Sequence, residues 1–291
     1  MSETGGPPGL VAIITGRGAL PREIAEARAK AGLPYLLIVF QNCFEDWMGD
    51  HPHAHHEFER AGAVFREMRK AGAEHVVFAG AMNRPKLRPW RADLKAAGLL
   101  AKAIRLLGKG DDAMLRGFAG IFEAEGLTML SPVDILGGEL LVKAGLMGAR
   151  GPSDQDKADA ARAADIVRAL GPLDVGQGAV VARGICLGVE AIEGTDLMLA
   201  RVADLPPERR ATAPAPSGVL FKGPKPDQDR RMDLPTVGAT TIQAARAAGL
   251  NGVVVVAGQT VLMEGDATRS ALDSTGLFLY GAKEDELADW G

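Results

Sequence analysis

The sequence predicts an α/β protein of two domains: an N-terminal Rossmann-like domain on a parallel sheet, and a C-terminal domain of mixed α and β structure. Three observations carry this. In the first half, short apolar runs alternate with helical patterns, the order produced when parallel strands are joined by crossover helices. The second half adds a hairpin signal to further strands and helices. The chain has 291 residues, 47% of them hydrophobic, and single cores stop growing near ~250–300 residues. The expected division is a disordered lead-in at 1–9, domains at 10–132 and 153–291, and a linker at 133–152.

Each element has a local cause. Residues 10–14 read as a buried strand, and 21–31 as a helix that opens on Pro21 and stops at Gly32. Strands follow at 34–40 and 74–79, with a helix at about 57–71 stopped by Gly72. A helix over 91–107, another after Asp111 and Asp112, and a short strand at 127–130 complete the first domain. Pro132, Gly137, Gly138, Gly145, Gly148 and Gly151 break any long regular element and mark the boundary. Ser153 with Asp156 three residues later resembles a capping box and opens a helix to Leu170. Residues 179–182 and 185–191 flank Arg183-Gly184 as a hairpin, although Arg is not favoured at the first turn position. Helices near 196–203, 239–248 and 266–275, and strands at 219–222, 253–257 and 277–280, complete the second domain.

Composition excludes several classes of function. The formal charge of −4 comes from 33 basic and 37 acidic residues spread along the chain, which leaves no basic field for nucleic acid. Cys43 and Cys186 lie far apart, giving neither a disulfide framework nor a zinc knuckle, so a reducing cytoplasm is the expected location. The start lacks the pattern of a signal peptide, and no apolar run approaches the ~20 residues of a membrane span. Any lipid is therefore expected to be met from the water side, as a peripheral contact.

Several segments carry candidate chemistry. The turn Gly16-Arg17-Gly18-Ala19-Leu20-Pro21 joins a strand to a helix start, where glycines and free N–H groups suit an anion, although a plain turn accounts for it equally. Pro21 stands where a dinucleotide fingerprint needs Gly or Ala, which argues against a nicotinamide-dependent oxidoreductase. Gly80-Ala81-Met82-Asn83-Arg84-Pro85 follows a strand end: Asn83 suits a base or sugar edge and Arg84 a phosphate, unless the segment is only a turn. Lys109, Asp111 and Asp112 at a helix start offer a phosphate contact and a ligand-orienting acid, or simply complement the helix dipole. Asp174 to Gly178 with Gln177, and Glu190 to Asp196 with Glu193, Gly194 and Thr195, put polar groups at the ends of apolar strands; Thr195 or Asp196 otherwise caps a helix. Lys222 and Lys225, followed by Arg230, Arg231, Asp233 and Thr236, combine the cations and the carboxylate that diphosphate hydrolysis requires, with Mg²⁺ needing only one or two protein carboxylates. His51, His53, His55 and His56 beside Pro52 are either a transition-metal cluster or solvent-facing histidines in an exposed loop.

Taken in order, Gly16-x-Gly18-Ala19-Leu20-Pro21, Lys109-Gly110-Asp111-Asp112, Leu173-Asp174-Val175-Gly176-Gln177-Gly178, Val189-Glu190-Ala191-x-Glu193-Gly194-Thr195-Asp196 and Asp233-Leu234-Pro235-Thr236-Val237-Gly238 resemble one family over nearly the whole chain. It is the UDP-2,3-diacylglucosamine pyrophosphatase family of lipid A biosynthesis, in the type unrelated to the calcineurin-like phosphoesterases. The resemblance implies hydrolysis of UDP-2,3-diacylglucosamine to UMP and 2,3-diacylglucosamine 1-phosphate (lipid X), with Mg²⁺, in a site between two domains of a homodimer. It makes Asp233 the essential aspartate and carries substrate contacts onto the glycine turn, Gly80 and its neighbours, Gln177 and Glu193 to Asp196. Arg17, Met114 and the histidine-rich loop depart from the family pattern without removing a proposed catalytic group. Alternatives of other classes are a nucleotide-binding oxidoreductase and a non-catalytic nucleotide-sensing module.

Overall fold

A computed structural model describes residues 5–40, 43–80, 111–206, 208–210, 216–225, 229–232 and 234–291, the side chains of 111–114 excepted. The chain divides into two compact units, Met1–Gly138 with Asp229–Asp233, and Glu139–Gln228 with Leu234–Gly291.

In the first unit the order is β1 (Leu10–Thr15), α1 (Leu20–Lys30), β2 (Tyr35–Phe40), β3 (His53–His56), α2 (Ala61–Ala71), β4 (Ala73–Ala79), α3 (Asp111–Ala124), β5 (Thr128–Leu130) and α4 (Pro132–Leu136). Its sheet runs β3-β2-β1-β4-β5, all parallel. Both faces are covered, which is why the strands read as unbroken apolar runs. Val11 and Ile13 of β1 face Ile24 and Ala25 of α1, whereas Ala12 and Ile14 face Val64, Phe65 and Met68 of α2. Gly72 ends α2 in the left-handed conformation, as its position predicts.

The lead-in expected to be disordered is ordered from residue 5. Arg28, fully buried at the end of α1, donates to the carbonyls of Gly5 (2.7 Å), Pro7 (2.7 Å), Gly9 (2.5 Å) and Pro34 (2.7 Å). Five donors in a rigid fork let one guanidinium satisfy several carbonyls at once, and they anchor a segment with few apolar side chains of its own.

The second unit continues with β6 (Gly145–Met147), α5 (Asp154–Leu170), β7 (Gly178–Ala182), β8 (Ile185–Val189), α6 (Gly194–Ala203), β9 (Val219–Lys222), β10 (Thr236–Val237), α7 (Ala239–Ala247), β11 (Gly252–Val256), β12 (Val261–Leu262), α8 (Gly265–Thr275), β13 (Phe278–Ala282) and α9 (Glu284–Asp289). Its main sheet has the order β6-β13-β11-β9-β7-β8. Strands β9, β11 and β13 are parallel, while β6 and β7 run antiparallel to their neighbours. Helices α6, α7 and α8 cover one face and α5 the other. The segment 133–152, expected as a linker, instead holds most of α4, which belongs to the first unit, and β6, which pairs with β13 in the second.

Ser153 caps α5 through the amide of Asp156, completing the expected capping box. The expected hairpin is present, and its unusual arginine has a structural reason. Arg183 (φ 51°) and Gly184 (φ 76°) are both left-handed, as a primed two-residue turn demands. Asp159, fully buried on α5, accepts both of their amides at 2.8 and 2.7 Å. Those charge-assisted bonds offset the cost of a non-glycine residue at positive φ.

Candidate functional site

In the first unit the residues Gly16, Gly18, Ala19, Leu20 and Gly80 lie at the carboxyl ends of β1 and β4 and in the turn that opens α1. Here the connections leave β1 toward β2 on one side and return to β4 on the other, the switch point at which open α/β sheets bind ligands. The two turns are in close contact: a Cβ on Gly80 would lie 2.6 Å from the Arg17 carbonyl oxygen, so no other residue fits. Gly16 donates its amide to Ala79 at 2.7 Å, which stitches the turn to the end of β4. Ala19 precedes α1 without a side-chain cap, and Pro21 sits in its first turn.

Asp111 and Asp112 are the first residues of α3. Asn83, Arg84, Lys109 and Asp233 lie outside the described residues. The chain on either side of Asp233 is well anchored. Met232 is buried in the core of the first unit, and Arg231 donates to both carboxylate oxygens of Asp229 and to Glu123 at 2.8 Å. On the other side the Pro235 carbonyl accepts the Val261 amide at 2.8 Å. The hydrogen bonds from Arg231 hold the Asp229 carboxyl below the usual carboxylate range. That contribution to stability is present above the unfolded carboxylate range and is lost as pH falls through the lowered native value.

The second unit brings six of the expected residues together at the carboxyl edge of its parallel strands. Gly178, the first residue of β7, pairs with Lys222, the last of β9. The Gln177 carbonyl accepts the Gly223 amide at 3.0 Å. Lys222, only 4% exposed, donates its Nζ to the Thr236 carbonyl at 3.0 Å. Lys225 is buried and ion-paired with Asp174. Thr195 in α6 is also buried, and it neither caps the helix nor faces water: its hydroxyl donates to Glu190 Oε1 at 3.0 Å.

Glu190, which the sequence places among the polar groups at strand ends without a role of its own, lies at the centre of this group. It is 7% exposed, and its Oε2 is enclosed without a hydrogen-bond partner. Two glycines make room for it. A Cβ on Gly176 would lie 2.0 Å from the Glu190 carbonyl oxygen, and one on Gly178 would lie 2.6 Å from Oε2. The pattern Gly176-Gln177-Gly178 is thus the complement of Glu190. Its place as the acid directly after the strand Ile185–Val189 was the signal for it. A buried acceptor left unmade costs about 1–3 kcal/mol, and an ionised one more. Glu193 and Asp196 do not join this group: Glu193 pairs with Arg201 at 3.1 Å, and Asp196 is exposed in the first turn of α6.

Among the described residues, no group of three or more His, Cys, Asp and Glu is arranged to hold a metal ion. No described helix is long and apolar enough to cross a membrane. Both cysteines are free thiols.

A parallel sheet with glycine turns at its switch point, followed by a mixed sheet with buried lysines and a buried glutamate at its carboxyl edge, defines a two-unit α/β protein. Residues 10–138 match the family model described as the LpxI N-terminal domain, and 143–280 match that of the LpxI C-terminal domain. The chain is 39% identical over 274 residues, covering 94% of this chain and 98% of the relative, to the UDP-2,3-diacylglucosamine pyrophosphatase LpxI of Caulobacter vibrioides. The chain belongs to the LpxI family.

Proposed function

We propose that the protein hydrolyses the pyrophosphate bond of UDP-2,3-diacylglucosamine, giving UMP and 2,3-diacylglucosamine 1-phosphate (lipid X), as a step of lipid A biosynthesis. The observation that carries this is the 39% identity, spread over 94% of the chain, to a relative bearing that activity in its name. Water adds to one phosphorus, the anhydride P–O bond breaks, and the two phosphates leave on separate products. The electron pair of the broken bond stays on the bridging oxygen, the attacking water gives up its protons to solvent or to the leaving phosphate, and fixed donors and cations stabilise the negative charge that develops.

Asp233 is the residue to hold Mg²⁺ or to orient the attacking water. Mg²⁺ keeps most of its waters and needs few protein carboxylates, so one aspartate is enough to hold it. When bound, it supplies positive charge at the phosphate oxygens. The glycine turn at Gly16 to Leu20 and Gly80 offers backbone donors, with Asn83, Arg84, Lys109, Asp111 and Asp112 as further substrate contacts. Lys222 and Lys225, which bond to the Thr236 carbonyl and to Asp174, are the further cations for the substrate phosphates, with Thr236 beside them. Glu190 Oε2 supplies an acceptor for a hydroxyl or N–H of the substrate. We further propose a cytoplasmic homodimer that meets its lipid substrate peripherally at the inner membrane.

The acyl chains provide the test. Each buried CH₂ contributes about 0.8 kcal/mol, so four in the transition state favour the diacylated substrate by roughly 200-fold. UMP release with Mg²⁺ is expected to be at least ~100-fold faster from UDP-2,3-diacylglucosamine than from UDP-N-acetylglucosamine. Equal rates refute the lipid part, and no UMP from either substrate refutes the hydrolase.

Glu190 gives a second prediction. Glu190→Gln keeps the size and shape of the side chain and the acceptor that Thr195 uses, while it replaces a carboxyl whose Oε2 has no partner, so the melting temperature is expected to hold or rise. kcat/KM is expected to fall by ~10-fold or more, the separation of stability from activity seen where a site is built at a cost to the fold. A lowered melting temperature with unchanged kcat/KM assigns Glu190 a purely structural role.

A further inference from the structure

The histidine-rich segment is not an exposed loop. His53 to His56 form β3, the edge strand of the parallel sheet, paired in register with Leu37 to Phe40 of β2. Successive side chains of a strand point to opposite faces. His53 and His55 are accordingly the exposed pair, while Ala54 and His56 are partly covered.

We propose that His53 and His55 form a two-histidine chelate for a borderline divalent metal ion, Zn²⁺, Ni²⁺ or Cu²⁺, using no residue assigned above to hydrolysis. Three observations support it. The first is separation. The two ring centroids lie 5.2 Å apart. With a Zn–N distance of about 2.05 Å, plus about 1.15 Å from nitrogen to ring centre, two imidazoles on one tetrahedral ion have centroids about 5.2 Å apart.

The second observation is the tautomer. His53 Nδ1 lies 2.8 Å from the His51 carbonyl oxygen. A carbonyl only accepts, so Nδ1 carries the proton and Nε2 presents its lone pair to a ligand. A ring N–H given to a backbone carbonyl is the usual support of a metal-binding imidazole. His51 is itself committed, its Nδ1 sharing a 2.6 Å hydrogen bond with the Tyr35 hydroxyl. The third is confinement of the rings. Phe44 packs against both, at 5.9 Å from His53 and 4.9 Å from His55, which restricts the rotamers that binding would otherwise have to freeze. Among the described residues there is no third ligand at this point, so water completes the coordination. Neutral imidazoles select these ions over Mg²⁺, which prefers oxygen.

Titration calorimetry of the full chain with Zn²⁺, in excess Mg²⁺ to occupy oxygen-rich sites, tests the proposal. One saturable site per chain is expected. His53→Gln and His55→Gln should each weaken it by at least ~10-fold, or about 1.4 kcal/mol, while His56→Gln, on the other face of the strand, leaves it intact. The wild-type protein loaded with one equivalent of Cu²⁺ should show two imidazole nitrogens in its electron paramagnetic resonance spectrum. Absence of saturable zinc binding, a loss under tenfold in either exposed-face variant, or a copper spectrum with fewer than two imidazoles overturns the proposal.

Discussion

Asp233→Asn is expected to lower UMP release from UDP-2,3-diacylglucosamine by at least ~10²-fold, the scale of removing one preorganised electrostatic group, and to leave the melting temperature unchanged. Asn has nearly the same volume and shape as Asp but loses the charge, so it weakens both metal binding and the orientation of water. The flanks of the residue are held independently of its carboxylate: Met232 lies in an apolar core, Arg231 is bound by Asp229 and Glu123, and Pro235 is bonded to Val261. A defect confined to kcat at saturating Mg²⁺ supports water orientation. A defect that added Mg²⁺ relieves supports metal holding. Hydrolysis within a few-fold of the wild type rejects Asp233 as the essential acid.

The largest effect on stability is expected at Arg28. Arg28→Met keeps an apolar stem of similar length but strands the carbonyls of Gly5, Pro7, Gly9 and Pro34, all now bonded to one guanidinium. An unmade buried polar group costs about 1–3 kcal/mol, and some of these oxygens will reach water once the segment peels away. A net loss of about 3–5 kcal/mol is expected, a large share of the 5–15 kcal/mol by which domains are usually stable. Urea unfolding should show the midpoint falling at constant slope, and limited proteolysis should open the chain between Gly5 and Gly9. A loss below about 1 kcal/mol would mean that the segment is held by its backbone bond from Gly5 to Ile135 and by packing.

Much of the fold is legible along the chain because its causes are local. The helix over 20–30 follows from a proline-tolerant first turn, and that over 154–170 from Ser153 and Asp156 three residues apart. The hairpin at Arg183-Gly184 was legible from the two runs that flank a two-residue turn, but what supports arginine there was not, since Asp159 lies 24 residues earlier. His53 to His56 carry no apolar signal and are a strand only because β2 offers them an open edge. The same limit applies to the candidate site. Gly178, Lys222 and Thr195 stand out as residue types at strand ends, whereas the orphaned oxygen of Glu190 arises from packing against Gly178 and is invisible in one dimension.

The sequence by itself determined the α/β class, the glycine turns at the strand ends, and the ordered run of motifs that marks the LpxI family, because each depends on residue type at short spacing. Only the tertiary structure decided that Asp229–Asp233 leaves the second unit to join the first, that Arg28 orders the N-terminal segment, and that two histidines on one sheet edge stand at a chelating distance. These depend on which distant residues share a surface. That choice is made by burial of the whole core and by the satisfaction of its polar groups, so no window of neighbouring residues contains it.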